Sequence, residues 1–158
     1  MTGISRRDSL AAGLGSLAAG IAAGSAEAQP AGAGNTVTLL LVNDIYKMGE
    51  EGGRGGFSRL NPIVRAERAR GVPMLYVHAG DMFSPSLMSG FDQGAHTVEL
   101  TNFAPPDVFV PGNHEFDFGP EAYAARRAES RFPYFAANMR SADGGLLPGH
   151  EDGRIFDL

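Results

Sequence analysis

Short apolar runs alternate with polar, Gly-rich or Pro-rich connections along most of this chain. Val37 to Val42 (VTLLLV) is almost wholly apolar, with β-branched side chains at Val37, Thr38 and Val42. That is the pattern of a strand buried on both faces of a parallel sheet. Met74 to Ala79 (MLYVHA) predicts a second strand and Val108 to Val110 a third. Phe132 to Ala137 predicts a fourth, with Pro133 admissible only at its start or on an edge. Between the runs the spacing turns helical. Leu60, Ile63, Val64 and Ala66 oppose Arg65, Glu67, Arg68 and Arg70, which predicts a helix over Leu60 to Arg70. It starts with Asn61-Pro62 as cap and first residue, or earlier, near Ser58, with Pro62 in the first turn. Gly71 and Pro73 stop it. Further helices are predicted from about Gln93 to Phe103 and from about Pro120 to Arg131. Residues 146–158 read as the opening of an element that the sequence does not finish.

The order β-α-β-α-β-α-β, with connections long enough for parallel pairing, predicts an α/β layered fold. In such sheets ligands bind outside the carboxyl ends of the strands. The four predicted strands end in Asn43-Asp44, Gly80-Asp81, Asn113-His114 and Asn138. The third is the richest: Val108 to Val110 breaks off in Pro111-Gly112, and Asn113, His114, Glu115 and Asp117 follow at once.

Composition narrows the chemistry. Of 158 residues, 43% are hydrophobic and 20% charged, which is ordinary for a globular chain. The net charge of −5 argues against binding nucleic-acid polymers through the overall field. There is no cysteine, so disulfides, thiolate metal sites and a cysteine nucleophile are excluded. Oxygen and imidazole ligands remain, and with them hard or borderline metals.

The N-terminus reads as an address. Arg6-Arg7 precedes a short Ala-, Gly- and Leu-rich run to about Ala23, and Ala26-Glu27-Ala28 fits a small-x-small cleavage pattern. Residues 1–28 are therefore expected to be a twin-arginine signal peptide, cleaved after Ala28. The expectation carries a transient partner, the twin-arginine export machinery, and a periplasmic or secreted location. Residues 29–35 would form a flexible mature N-terminus. No stable membrane span is expected, because the apolar run is short and weakly hydrophobic.

Two divalent metals about 3.5–4 Å apart need a shared carboxylate and separate ligands on either side. Asp81 suits the bridge, since Gly80 permits close approach at a strand tip. Asp44 would bind one metal and the Asn113 side-chain carbonyl the other. His114 and Asp117 form an imidazole–carboxylate pair that could protonate a leaving oxygen or stabilise developing charge. Any one Asp or Asn at a strand end also fits turn or capping chemistry; their gathering at one sheet edge is what points to catalysis.

Other polar residues carry open readings. His78 is a core histidine, one that supports the site, or a substitute metal ligand, and His96 is packing or surface. Arg54 and Arg59 flank the end of a loop holding five glycines between Gly49 and Gly56, as phosphate contacts or as solvated charges. Asn138 shapes the site or caps a strand. Met82, Phe83, Phe116 and Phe118 read as walls and core.

Asn43-Asp44, Gly80-Asp81 and Gly112-Asn113-His114-Glu115 resemble the successive signatures of the calcineurin-like metallophosphoesterases. Leu40 to Asp44, Gly55-Gly56-Phe57 and Gly112 to Phe118 resemble the branch containing 5′-nucleotidases and UDP-sugar hydrolases. The resemblance covers nearly all of residues 36–158. It implies a four-layer α/β/β/α sandwich, of which this chain would hold the first β-α-β-α-β-α-β half. It also implies two divalent metal ions (Mn, Zn, Mg, Ca or Fe), and in this family often a separate C-terminal domain that binds the nucleoside. By resemblance Asp44 ligates the first metal, Asp81 bridges, Asn113 ligates the second, and His114 with Asp117 is the catalytic dyad.

Two departures qualify this. The family's first motif is Asp-x-His, with the histidine a ligand, whereas this chain has Asp44-Ile45-Tyr46. Tyr46 either binds metal through its phenolate or packs beside the site. The family's later histidine ligands, a lone His and a Gly-His-x-His, have no counterpart here; Gly149-His150-Glu151-Asp152 lacks the second histidine and reads as a turn. The expectation is a C-terminally incomplete metallophosphoesterase domain that hydrolyses a small phosphate ester, a nucleotide above all, by metal-activated water. The alternatives are a cyclic-nucleotide phosphodiesterase, a sugar-nucleotide hydrolase, or a non-catalytic metal- or phosphate-binding fragment.

Overall fold

The computed structural model describes residues 36–158; the expected signal peptide and flexible terminus lie outside the described residues. Strand β1 (Thr38–Val42) leads to helix α1 (Phe57–Arg68) and strand β2 (Met74–His78). Two short helices follow, α2 (Ser89–Asp92) and α3 (Ala95–Thr101), then β3 (Val108–Phe109) and a 3-10 turn (Asn113–Phe116). Helix α4 (Gly119–Glu129), β4 (Tyr134–Phe135) and β5 (His150–Glu151) complete the order. The strands form one parallel sheet in the order β1-β2-β3-β4-β5.

One transverse row explains the core. Val42, His78, Phe109, Tyr134 and His150 are register partners across all five strands. Partners in a parallel ladder share a face, and this face meets the helices. Phe109 packs with Val98 of α3, Tyr123 of α4, Phe132 and Tyr134. Tyr76, two residues before His78 and so on the same face, packs with Val64 of α1. Tilted ring pairs join Phe109 to His78, Phe132 and Tyr134 at centroid separations of 5.3, 5.4 and 4.6 Å.

Several expectations need correction. β1 is not buried on both faces: Leu39 and Leu41 are 64% and 59% exposed, because α1, α3 and α4 all pack on the other side of the sheet. Helix α1 begins at Phe57, whose buried ring anchors its first turn, so Pro62 falls in the second turn rather than the first. The helix expected from Gln93 to Phe103 is present as the shorter α3, and a separate short helix, α2, precedes it. Gln93 and Gly94 both take positive φ, and the Asp92 carboxylate accepts the Gly94 and His96 N–H groups at the start of α3. β4 is two residues long and starts after Pro133, whose carbonyl accepts the Phe109 N–H. The Gly149–Asp152 segment is not simply a turn. His150–Glu151 is the fifth strand, and His150 is buried with its Nε2 against the Tyr123 hydroxyl. Among the described residues no helix is long and apolar enough to cross a membrane.

Phe109 is fully buried at the centre of the row. Phe109→Ala is expected to lower unfolding free energy by about 3–5 kcal/mol, the usual cost of removing a buried aromatic ring. Urea denaturation checks this, and a loss below about 1 kcal/mol would contradict the central packing role.

Candidate active site

The tips of β1, β2 and β3 are tied together by backbone strain and close approach. Asp44 and Asp81 both have φ of +58°, a left-handed conformation uncommon outside glycine but best tolerated by Asp and Asn. Such strain persists only where the surroundings over-determine it. At Asp44 the restraint is its own N–H donating to the Gly80 carbonyl at 3.0 Å. At Gly80 a side chain is impossible, since a Cβ would strike the Gly112 nitrogen and the Val110 carbonyl. At Gly112 a Cβ would strike the Asp81 carboxylate. The Asp81 carboxylate therefore lies directly against the backbone of the β3 tip, where its Oδ1 accepts the His114 N–H at 3.0 Å.

Glu115 locks this arrangement. It is 1% exposed, and its carboxylate accepts four backbone N–H groups. Asp81 donates to Oε2 at 2.9 Å and Gly112 to Oε2 at 2.5 Å; Met82 donates to Oε1 at 2.7 Å and Phe83 to Oε1 at 3.3 Å. Burial pushes its carboxyl upward, and the four donors pull against that. Nothing in the hydrophobic pattern singles out Glu115. Its signals are its place in the Gly112-Asn113-His114-Glu115 run and the capping-box position, three residues after Gly112 at the start of a turn.

His114 stands beside this clasp. Its Nδ1 faces Asp117 Oδ2 at 2.7 Å, and Ser84 donates its hydroxyl to the same carboxylate oxygen. Ser84 Oγ also lies 3.3 Å from the imidazole Nδ1. The hydrogen bond to Asp117 raises the His114 pKa. The Ser84 hydroxyl, followed by His114, lowers that of Asp117. Ser84 is a site member that the sequence does not reveal, because it reaches the pair from a loop about thirty residues away.

Not every candidate joins the cluster. Asn113 is exposed at the β3 tip and Tyr46 is half-buried, lining a cleft with Asp44; neither side chain hydrogen-bonds another described residue. The Asn43 amide donates to Asp44 Oδ2. His78 is fully buried in the core row. Its Nδ1 accepts the Gly80 N–H at 3.1 Å, and burial lowers its pKa to about 4. It is thus a neutral core histidine that also steadies the turn before Asp81. His96 is buried and bonded to Asp92, and Asn138 is exposed. Arg59 pairs with Glu50 at 2.6 Å.

Asp44, Asp81 and Asn113 present oxygen donors at three adjacent strand tips, a donor set that suits a hard or borderline divalent cation. Among the described residues no three of His, Asp and Glu gather closely enough to hold a metal. The set fits such a cation in kind and supplies only part of its shell.

The family described as calcineurin-like phosphoesterase matches residues 37–155. A 5′-nucleotidase-related protein of Glossina morsitans morsitans is 38% identical over 69 residues, 41% of this chain and 12% of that protein. A probable 5′-nucleotidase of Treponema pallidum is 34% identical over 95 residues, 60% of this chain and 16% of that protein. Among solved structures, the NAD nucleotidase of Haemophilus influenzae superposes with a TM-score of 0.67 at 25% identity, over 77% of this chain and 24% of that one. The chain thus spans less than a quarter of each of these relatives.

The His114–Asp117 pair sets a pH window. A raised histidine pKa means that its contribution to stability is complete below the ordinary 6.5 and is lost as pH rises through the raised value. A lowered Asp117 pKa means that its contribution holds above the ordinary 3.8 and is lost as pH falls through the lowered value. An NMR titration is expected to place His114 above 6.5, and Asp117→Asn to bring it down. A midpoint unchanged by the substitution would contradict the pairing.

Proposed function

The chain belongs to the calcineurin-like phosphoesterase family, and from that premise we propose that it supplies the Asp44–Asp81–His114 edge of an exported, metal-dependent phosphate-ester hydrolase of the 5′-nucleotidase type. The observation that carries the reading is the single clasp at Glu115. It holds the Asp81 carboxylate and the His114–Asp117 pair on adjoining strand tips. A nucleotide substrate is supported by the names of the relatives, 5′-nucleotidases and a NAD nucleotidase. Export rests on the twin arginines and small-x-small pattern within residues 1–28, and places the enzyme in the periplasm or outside the cell.

Members of the family generally carry a dinuclear divalent metal centre. In this chain Asp44, Asp81 and Asn113 would hold the ions; Tyr46 lines a cleft with Asp44. When bound, the ions supply Lewis-acid polarisation of the phosphoryl oxygen and a water of lowered pKa.

The protein's own groups manage the proton. Asp117 engages His114 Nδ1, so Nε2 is the nitrogen left to face a substrate. The neighbouring carboxylate favours the imidazolium, which keeps a proton on Nε2 ready for the leaving oxygen. Ser84 holds Asp117 in place while that proton moves. The His114 N–H, bonded to Asp81 Oδ1, fixes the distance from the acid to the carboxylate.

The test is hydrolysis of a 5′-nucleotide by the intact polypeptide with Mn²⁺ supplied. Asp81→Asn is expected to reduce kcat by about a hundredfold or more, the scale of losing one transition-state contact. Activity retained in a folded Asp81→Asn protein would remove the basis for the proposal.

A further inference from the structure

The loop between β1 and α1 closes on itself beside the site. The Phe57 N–H donates to the Met48 carbonyl at 3.1 Å, and Gly56 lies so close to Gly49 that a Cβ would strike its carbonyl. Within the ring, Glu51 and Arg54 exchange both backbone hydrogen bonds, at 2.9 and 3.1 Å. Buried Phe57 fastens the far end to the core. The loop and the β1 tip line an open cleft of about 310 Å³, with Asp44, Tyr46, Lys47, Glu51 and Arg54 in its walls.

The charges of this loop are mostly spent within it. Lys47 pairs with Glu51, and Arg59 with Glu50. Arg54 is the cation left over: among the described residues no carboxylate lies within ion-pair distance of it. An unpaired guanidinium in the wall of a cleft offers a planar fork of donors suited to phosphate or carboxylate.

Position gives the ligand its place. Asp44 at the β1 tip lines the same cleft as Arg54, and Asp81 on β2 and Asn113 and His114 after β3 follow Asp44 along the sheet order. A phosphoryl group held at Asp44 would stand at the border of that cleft. Any further part of the ligand that reached past Asp44 would meet Arg54. We infer that the cleft is a subsite for a second anionic group of the substrate, a second phosphate above all, with Arg54 as its specificity-determining residue. This rests on the hydrolase reading for what occupies the centre of the edge; the anion subsite itself is tested separately.

The experiment uses the intact polypeptide and Arg54→Gln at one fixed free Mn²⁺ concentration, with inorganic pyrophosphate and inorganic phosphate as probes. Calorimetry is expected to show pyrophosphate binding the wild type more tightly than phosphate. That preference should fall by about tenfold in Arg54→Gln, the scale of one charge-assisted hydrogen bond. With 4-nitrophenyl phosphate as substrate, kcat should be unchanged, while pyrophosphate becomes a weaker competitive inhibitor. A pyrophosphate preference equal in both proteins would overturn the subsite. If neither protein hydrolyses the ester, the hydrolase reading fails, and the calorimetric comparison still decides the subsite by the same criterion.

Discussion

A single buried carboxylate holds the candidate site together. Glu115 sits where water cannot reach it and accepts hydrogen bonds from Gly112, Asp81, Met82 and Phe83. A buried carboxylate is costly unless its lone pairs are filled. Here they are filled entirely by the backbone of two strand tips distant in sequence. The tips of β2 and β3 cannot separate without exposing or orphaning that group. The left-handed Asp81, the absence of a side chain at Gly80 and Gly112, and the seat of the Asp81 carboxylate all follow from the tightness of this junction.

The core serves the same junction from below. Val42, His78, Phe109, Tyr134 and His150 form one row beneath the strand tips, and aromatic rings fill its centre. His78 links the two levels: it packs on Phe109 and accepts the N–H of Gly80, the residue before Asp81. The opposite face of the sheet, with Leu39 and Leu41 exposed, takes no part in this support. Rigidity is thus concentrated where the polar tips need it.

Much of the arrangement is legible in the sequence, for physical reasons. β1, β2 and β3 announce themselves as apolar runs broken by Asp, Gly and Pro, and parallel α/β order follows from the connections between them. Asp44, Asp81 and His114 are visible because polar groups directly after buried strands must lie at one sheet edge. What stayed hidden depends on contacts between distant residues. Ser84 looks like an ordinary loop serine, and its bond to Asp117 exists only once the chain has folded. The two-residue β5 has no periodicity to read, and its buried His150 resembles a turn residue. The break between α2 and α3 falls at Gln93-Gly94, where both residues are left-handed; the glycine is a visible breaker, and Gln93 carries no such signal. The openness of β1 could not be read from VTLLLV, because an apolar run reports what a strand tolerates and not what packs on it.

The division of labour between the arginines of the β1–α1 loop is likewise a folded-state property, since Arg59 finds Glu50 while Arg54 is left in the cleft wall. In the proposed function the Glu115 clasp fixes Asp81 for metal binding. The most direct measurement is Mn²⁺ affinity of the intact polypeptide, followed by electron paramagnetic resonance, in the wild type and in Glu115→Gln. The account predicts saturable Mn²⁺ binding that weakens by about tenfold or more in a Glu115→Gln protein with unchanged circular dichroism, as when a group supporting a metal ligand is altered. Equal affinity in the two folded proteins would contradict it.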